Sequence, residues 1–208
     1  WKDCVSCLNL KAKAADVSKK SKVKTLEPGG HLHVDTTGPF APSGGGTKYD
    51  VHIVDDVTPY AIVKHVKDKS GVSTAVEEVL LDLKSKNIKP KYMRCDMTGE
   101  HVALKALCQK YSIEIEFTAR KTPQRNKAEC SIRDTNNATF CCLTQCNLVP
   151  GLKKRLRAEA KTDVVYIKSL LVYKKGKRPP YEQFFGKAVS QGPKYWKPFG
   201  QIGYVAIK

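Results

Sequence analysis

Apolar and polar residues alternate over short stretches of this chain, and such alternation predicts β-strands. Five stretches that are apolar or rich in β-forming residues, and are bounded by turn-forming residues, are the predicted strands. They are His31–Thr37, Tyr49–Asp55, Tyr60–Val66, Lys91–Cys95 and Ile113–Thr118. In the last of these, Ile113, Ile115 and Phe117 point one way and Glu114 and Glu116 the other, as expected of a strand with one buried face.

Helical spacing replaces the alternation in three other stretches. Residues Ser70 to Lys86 carry Val72, Val76, Val79, Leu80 and Leu83 on one face, and Pro90 follows their end. Glu100 to Tyr111 predicts a second helix, and a third, long helix begins at about Lys127. The resulting order, βββαβαβα, is the ribonuclease-H-like arrangement. It predicts an α/β fold with a five-stranded mixed sheet flanked by helices.

Composition narrows the class of protein. A chain of 208 residues with 41% hydrophobic residues can bury a real core. No apolar run approaches the length of a membrane span, and no signal peptide is visible. Because the chain starts at Trp1 rather than Met, we expect it to be excised from a larger polyprotein. The eight cysteines are irregularly spaced, which favours free thiols over a disulfide scaffold.

The charge is strongly positive, with 37 Lys and Arg against 20 Asp and Glu, a formal net charge of +17. Such an excess favours a polyanionic partner, although a basic surface without a partner is the simpler alternative. Clustering favours the partner, because Gly151 to Arg178 contains ten basic residues and two acids. We expect Lys153, Lys154, Arg155 and Arg157 to contact DNA phosphates, which give affinity without sequence preference.

Three acidic residues are the candidate metal ligands of this basic chain. Asp35 lies late in the first predicted strand, Asp96 at the end of the fourth before a glycine turn, and Glu129 near the start of the third helix. Hard cations take carboxylate oxygens, and two such ions ~4 Å apart can hold both the attacking and the leaving oxygen of a phosphodiester. The alternative is three unrelated surface acids. The pair Asp55 and Asp56 also invites a metal interpretation, but a turn after the second strand is the expected role.

Several motifs in order resemble the retroviral-type integrase core carried by copia-like (Ty1/copia) LTR retrotransposons. Asp50 to Tyr60 is similar to the second-strand segment with its double Asp, and Thr122 to Asn126 to the TPQxN loop. Cys4-Val5-Ser6-Cys7 is similar to the last half of the zinc element that precedes the core. Three later segments are similar to the family's downstream motifs: Ala158-Glu159-Ala160, Pro180 to Gly186 and Phe199-Gly200.

The resemblance implies a Mg²⁺-dependent (or Mn²⁺-dependent) DNA strand transferase. Asp35 would contact both of two ions, Asp96 one and Glu129 the other, and the enzyme would join the 3′ ends of element cDNA to target DNA. In this fold the strands of Asp35 and Asp96 are neighbours. The implied partners are double-stranded DNA and further copies of the chain, without a membrane, and the implied location is the nucleus, reached through a cytoplasmic particle.

The same resemblance implies boundaries between parts of the chain and further binding residues. Residues 1–27 would be a truncated zinc-binding tail and basic linker, 28–188 the catalytic core with a C-terminal helical extension, and 189–208 the start of the next segment. Cys4 and Cys7 would bind Zn²⁺ only with histidines missing from this chain. A polar loop before Glu129, together with Arg133 on the same helix face, would position DNA: Gln124, Arg125, Asn126 and Lys127.

The chain departs from the family pattern at several positions, and these departures leave two alternative functions open. Met97 stands where the family has Asn, Cys130 where it has Arg, and Asp96 and Glu129 are 129 − 96 = 33 positions apart, about three fewer than usual. The following helix is rich in residues of low helix propensity, Asp134 to Asn137. One rival is an eroded or repurposed DNA-binding module of ribonuclease-H-like fold without catalysis. The other is a ribonuclease H or a cut-and-paste transposase.

Overall fold

A five-stranded mixed sheet lies at the centre of the protein, as the sequence predicts. The structure is a computed structural model that describes residues 27–96, 101–118, 127–172, 176–189 and 197–201. The strands are β1 His31–Thr37, β2 Tyr49–Asp55, β3 Ala61–Val66, β4 Tyr92–Asp96 and β5 Glu114–Thr118. Their order is β3-β2-β1-β4-β5, in which β1, β2 and β3 are antiparallel neighbours and β4 and β5 run parallel to β1. The fold class and the strand assignments are therefore confirmed.

Helices cover the sheet on both faces. They are α1 Val72–Ser85, α2 His101–Lys110, α3 Lys127–Gln145, α4 Pro150–Arg155, α5 Arg157–Leu170 and α6 Pro180–Phe185. Helix α1 contacts β2 and β3 and helix α2 contacts β4 and β5, whereas α3 contacts β1 and β2 and α5 contacts β3. Helices α3 and α5 also pack against each other. No helix in the described part of the chain is long and apolar enough to cross a bilayer.

The two faces of the sheet differ sharply in chemistry. Leu32 and Val34 on β1 point into an apolar core that also holds the buried face of α1, and all five apolar residues predicted for that face are buried. Because side chains alternate along a strand, the residues between them point to the other face. That face, beneath α3 and α5, carries a row of buried polar side chains: His31, His33, Asp50 and His52.

The short helix α6 ties the C-terminal part of the described chain to the sheet. Pro180 begins the helix, and Gly186, with φ 66°, ends it in the left-handed conformation that glycine adopts most easily. Its Phe184 stacks on Tyr60, which precedes β3, with ring centroids 4.5 Å apart. Burial raises the pKa of Tyr60 to about 12. One of the motifs behind the resemblance is thus an aromatic anchor onto the core.

Candidate active site

Asp35 and Asp96 lie next to each other at one edge of the strand pair β1 and β4. These strands are parallel, and their register pairs Val34 with Cys95. One further residue along each strand brings Asp35 beside Asp96, as expected. Both side chains are half-buried, and Oδ1 of Asp35 accepts a hydrogen bond of 2.8 Å from the Thr36 backbone N–H.

Glu129 lies in the first turn of α3 and is exposed. Helix α3 begins at Lys127, as predicted, and packs against β1 and β2. Ala128 is completely buried and fixes this turn against the sheet, while Glu129 on the next position faces outward. The carboxylate is therefore carried by a helix whose first turn is held in place.

The three carboxylates do not form one compact single-ion site. Among the described residues, the group of His, Cys, Asp and Glu whose ligand atoms all lie within 4.8 Å of one another is a different one: His31, His33 and Asp56. A pair of Mg²⁺ ions ~4 Å apart, each ~2.1 Å from its ligands, allows oxygens up to roughly 8 Å apart. All three donors are carboxylate oxygens, the type that Mg²⁺ prefers, and a centre of two ions would not require Asp35, Asp96 and Glu129 to converge on one point.

Asp56 anchors the start of α3. Its Oδ1 lies 3.0 Å from Lys127 Nζ, which also donates to the Asp56 backbone carbonyl. The same Oδ1 lies 3.1 Å from His33 Nε2, and the Lys127 backbone N–H points at His33 Nδ1 over 3.4 Å. The hydrogen bond with His33 lowers the pKa of Asp56, and Lys127 lowers it further against the opposing effect of burial. Asp56 thus stays ionised and links Lys127, two residues before Glu129, to the sheet.

Asp55 has the structural role expected of it. The carboxylate is 1% exposed, and Oδ2 accepts hydrogen bonds from the Thr58 backbone N–H at 2.7 Å and from the Thr58 hydroxyl at 2.8 Å. Oδ1 accepts from the Gly29 backbone N–H at 2.8 Å. The turn prediction is confirmed for Asp55. Its neighbour Asp56 serves a different purpose, which the sequence did not reveal.

A buried ionic cluster around Asp50 joins β2 to α5. The carboxylate is completely buried and accepts hydrogen bonds from Arg157 Nη1 at 2.7 Å, Lys161 Nζ at 2.5 Å and His65 Nδ1 at 2.7 Å. Burial alone would raise the pKa of Asp50, but these hydrogen bonds and the Lys161 charge hold it well below its usual value. Lys161 also donates to Asn136 Oδ1 on α3, so a single acid organises three elements.

The Asp50 cluster gives Arg157 a role other than the one expected. Its guanidinium is engaged by Asp50 and lies over the Phe40 ring, 4.3 Å from the centroid, with 14% of the side chain exposed. Phosphate contact was predicted from its position in a basic run. The structure instead commits Arg157 to an internal ion pair, because a buried carboxylate requires a cationic partner.

Most other predicted DNA contacts lie on the surface. Lys154 and Arg155 are exposed and Lys153 is half-buried, its ammonium donating to the Thr144 carbonyl. Arg133 is 69% exposed and lies near Asp134, and Lys127 is 53% exposed. The remaining predicted residues lie outside the described part of the chain: Cys4, Cys7, Gln124, Arg125 and Asn126. The six cysteines that the structure describes are all free thiols.

Comparisons with known proteins find similar structures but no similar sequence family. No family model matches this sequence, and a comparison with curated proteins finds no match. Solved structures do match. A chain of the simian T-cell lymphotropic virus intasome, in complex with the PP2A regulatory subunit B56 gamma, superposes with a TM-score of 0.59 at 11% identity, over 84% of this chain and 62% of that one. The present chain thus spans about three fifths of that intasome chain.

Isolated catalytic cores match over nearly their whole length. The HTLV-2 integrase catalytic core domain in complex with magnesium, in its trimeric form, gives a TM-score of 0.56 at 13% identity, over 77% of this chain and 99% of that one. The dimeric form gives 0.55 at 16% identity, over 79% and 100%. At such identities the likeness establishes the ribonuclease-H-like fold alone.

Proposed function

We propose that this chain is the catalytic core of a retroviral-type integrase, of the kind carried by copia-like LTR retrotransposons. It joins 3′ ends of element cDNA to target DNA. The observation that carries the proposal is the placement of Asp35 beside Asp96 on adjacent parallel strands, with Glu129 on a helix packed against β1. The fold of magnesium-bound HTLV-2 integrase cores supports it.

The three carboxylates supply the metal-binding part of the proposed site. Asp35, Asp96 and Glu129 would hold two Mg²⁺ or Mn²⁺ ions. When bound, such ions lower the pKa of a 3′-hydroxyl and stabilise charge on the departing oxygen. The protein's own contribution is rigid placement. Two donors lie on hydrogen-bonded strands, and the third lies on a helix start that Lys127 and Asp56 tie to the sheet. No nucleophilic side chain is required.

A basic surface supplies the proposed DNA contacts. Arg133 lies on the same helix as Glu129 and is 69% exposed, whereas Lys127 on that helix is paired with Asp56. Lys153, Lys154 and Arg155 lie on α4 or at its end and form no ion pair with a carboxylate among the described residues, in contrast to Arg157. Phosphate contacts of this type position a duplex without reading its sequence. Assembly of several copies on DNA also belongs to the proposal, since HTLV-2 cores occur in dimeric and trimeric forms.

A joining assay tests the proposal directly. The full chain is incubated with a duplex oligonucleotide bearing a free 3′-hydroxyl, supercoiled plasmid, and Mg²⁺ or Mn²⁺. We expect joined product from the wild type and none from Asp35→Asn, Asp96→Asn or Glu129→Gln. Asp82→Asn, which removes one partner of an exposed ion pair on α1, is the control and should be fully active. A triad variant that keeps more than about a tenth of the wild-type rate, ~1.4 kcal/mol of barrier, is not a metal ligand.

A non-catalytic DNA-binding module is the second candidate function. Two observations favour it: the three carboxylates do not form a compact group in the described residues, and Cys130 follows Glu129 where the family has Arg. Such a module binds DNA but gains no stability from Mg²⁺ and forms no joined product. Wild-type protein that binds duplex DNA tightly and yet fails both metal tests would establish this second function and exclude the first.

A further inference from the structure

Two histidines and one aspartate form a compact polar group beneath α3, separate from the three carboxylates. His31 and His33 are two positions apart on β1, so both side chains point to the same face of the sheet. Their rings stack at a centroid distance of 4.9 Å. Asp56 follows β2, and its backbone N–H donates to the His31 carbonyl at 2.9 Å, which fixes the carboxylate opposite both rings.

The distances suit a single tetrahedral ion. Asp56 Oδ1 lies 3.1 Å from His33 Nε2, and Asp56 Oδ2 lies 3.8 Å from His31 Nδ1. All three ligand atoms lie within 4.8 Å of one another. Two ligands that are each ~2.0–2.1 Å from a tetrahedral zinc ion are roughly 3.4 Å apart. Asp56 Oδ2 is the oxygen available to the ion, and its distance of 3.8 Å from His31 Nδ1 is close to this value, so binding needs only small side-chain movements.

His31 is the member of this group that ordinary packing leaves unexplained. The side chain is completely buried, and neither ring nitrogen has a hydrogen-bond partner among the described residues. Buried polar groups without partners are uncommon because their desolvation is uncompensated. Burial, with help from His33, lowers the pKa of His31 to about 4, so the ring is neutral at physiological pH. A neutral imidazole has a free lone pair, which is what a metal ion needs.

We propose that His31, His33 and Asp56 bind one transition-metal ion of the zinc class. Two imidazole nitrogens and one carboxylate oxygen favour zinc over Mg²⁺, which prefers oxygen donors alone. The fourth position is left for water, reached from the side on which Asp56 is 21% exposed. The ion joins β1 to the turn after β2, directly beneath the start of α3. The ion therefore supports the helix that carries Glu129.

Lys127 and the ion can both bind Asp56, because they contact different oxygens of its carboxylate. The ammonium lies 3.0 Å from Oδ1 and also contacts the Asp56 carbonyl, which leaves Oδ2 for the metal. Binding through His33 Nε2 moves the ring proton to Nδ1. That proton displaces the hydrogen bond from the Lys127 backbone N–H, which at 3.4 Å is a weak one. The positive charge of Lys127 disfavours a nearby cation, and the gain from two buried imidazoles must exceed this repulsion.

Cobalt titration tests the proposal independently of DNA joining. Co²⁺ binding to chelator-stripped protein is followed by visible absorption and calorimetry. The background is Cys4→Ser/Cys7→Ser, so that this cysteine pair contributes no site. We expect one tetrahedral Co²⁺ without a thiolate charge-transfer band. His31→Gln should weaken binding by more than about 10-fold, the lower end of what even an outer-shell change costs. His52→Gln is the matched control, since His52 is equally buried on the same sheet face and neither of its ring nitrogens has a hydrogen-bond partner in the part of the chain that the structure describes.

Each outcome decides between alternatives. Equal Co²⁺ affinity in His31→Gln and His52→Gln, or a strong thiolate band, would overturn the proposal. Asp35→Asn must leave this affinity unchanged, which separates the site from the three-carboxylate site. If His31→Gln does not fold, X-ray absorption on the zinc-loaded Cys4→Ser/Cys7→Ser protein replaces it. Two imidazole ligands and no sulfur support the site, whereas oxygen-only or sulfur coordination excludes it.

Discussion

Asp35 and Asp96 are side by side because β1 and β4 run parallel and pair Val34 with Cys95. Sixty-one positions separate the two residues in the chain, 96 − 35 = 61. Their closeness depends on the crossover through β2, β3 and α1, which returns the chain to the free edge of β1. Two carboxylates held this way repel each other and attract a divalent cation.

The first prediction concerns stabilisation by Mg²⁺. At a free Mg²⁺ concentration ten times its dissociation constant, binding adds about 1.4 kcal/mol, or ~3–6 °C in Tm for a domain of this size. Asp35→Asn and Asp96→Asn should each remove most of this shift, and the double variant should remove little more, because both act on one site. Thermal unfolding with and without Mg²⁺ measures it. Asp82→Asn, on an exposed ion pair, should keep the full shift.

The sequence predicted the five strands because each is a short local stretch bounded by turn-forming residues. The adjacency of Asp35 and Asp96 was expected only from the resemblance, because it depends on how the chain crosses over between β1 and β4. The polar face beneath α3 and α5 could not be predicted in this way. The Asp50–Arg157 pair joins residues 107 positions apart, and nothing local distinguishes Arg157 from its exposed neighbours. His31-x-His33 was a detectable signal, since two histidines on one strand face are unusual, but Asp56 became their partner only through the β2 turn.

The second prediction concerns Lys127 as a positioning residue. Lys127→Met removes the contacts to Asp56 and loosens the first turn of α3, on which Glu129 lies. We expect the maximal joining rate to fall by about 10-fold, ~1.4 kcal/mol of barrier, with little change in DNA affinity. Lys64→Met, from the exposed pair with Glu78, is the control and should leave the rate unchanged. A loss of DNA affinity at an unchanged maximal rate would show that Lys127 contacts phosphate instead.

The third prediction concerns the buried acid Asp50. Asp50→Asn leaves the Arg157 and Lys161 charges buried without a counter-charge, which should destabilise the fold by about 3–5 kcal/mol. Urea unfolding measures the change. Adding Lys161→Met should restore part of the loss, because it removes one unpaired cation. An exposed pair behaves differently, and Asp82→Asn should cost less than about 1 kcal/mol. Equal costs for the two aspartates would contradict the buried-cluster interpretation.

The fourth prediction concerns pH. Burial, assisted by the Lys161 charge, lowers the pKa of His52 to about 3 from an ordinary 6.5. The unfolded chain therefore binds a proton that the folded chain rejects, so stability is complete above about pH 6.5 and declines as pH falls toward 3. Between about pH 7 and pH 5 this histidine alone should cost about 2 kcal/mol. His52→Leu should flatten the profile by that amount in urea unfolding, and an unchanged profile would mean that His52 binds its proton equally well in the folded and the unfolded chain.

The fifth prediction concerns the salt dependence of DNA binding, which should distinguish the surface cations of the basic segment from the buried Arg157. Lys153, Lys154 and Arg155 are the members proposed to contact phosphate. Changing all three to Gln should reduce the slope of log K against log salt by up to about three units, near 0.9 for each lost contact. The loss should be the same for any duplex sequence. Fluorescence anisotropy across a salt series gives the slope.

Arg157→Gln is the internal comparison for that experiment. Its guanidinium is 14% exposed and held by Asp50, so its loss should leave the salt slope within about half a unit of wild type. Its effect should appear instead in stability, because Asp50 and Lys161 lose a partner in a buried cluster. A slope reduced by about one unit without destabilisation would mean that Arg157 leaves Asp50 and moves to the phosphate backbone when DNA binds.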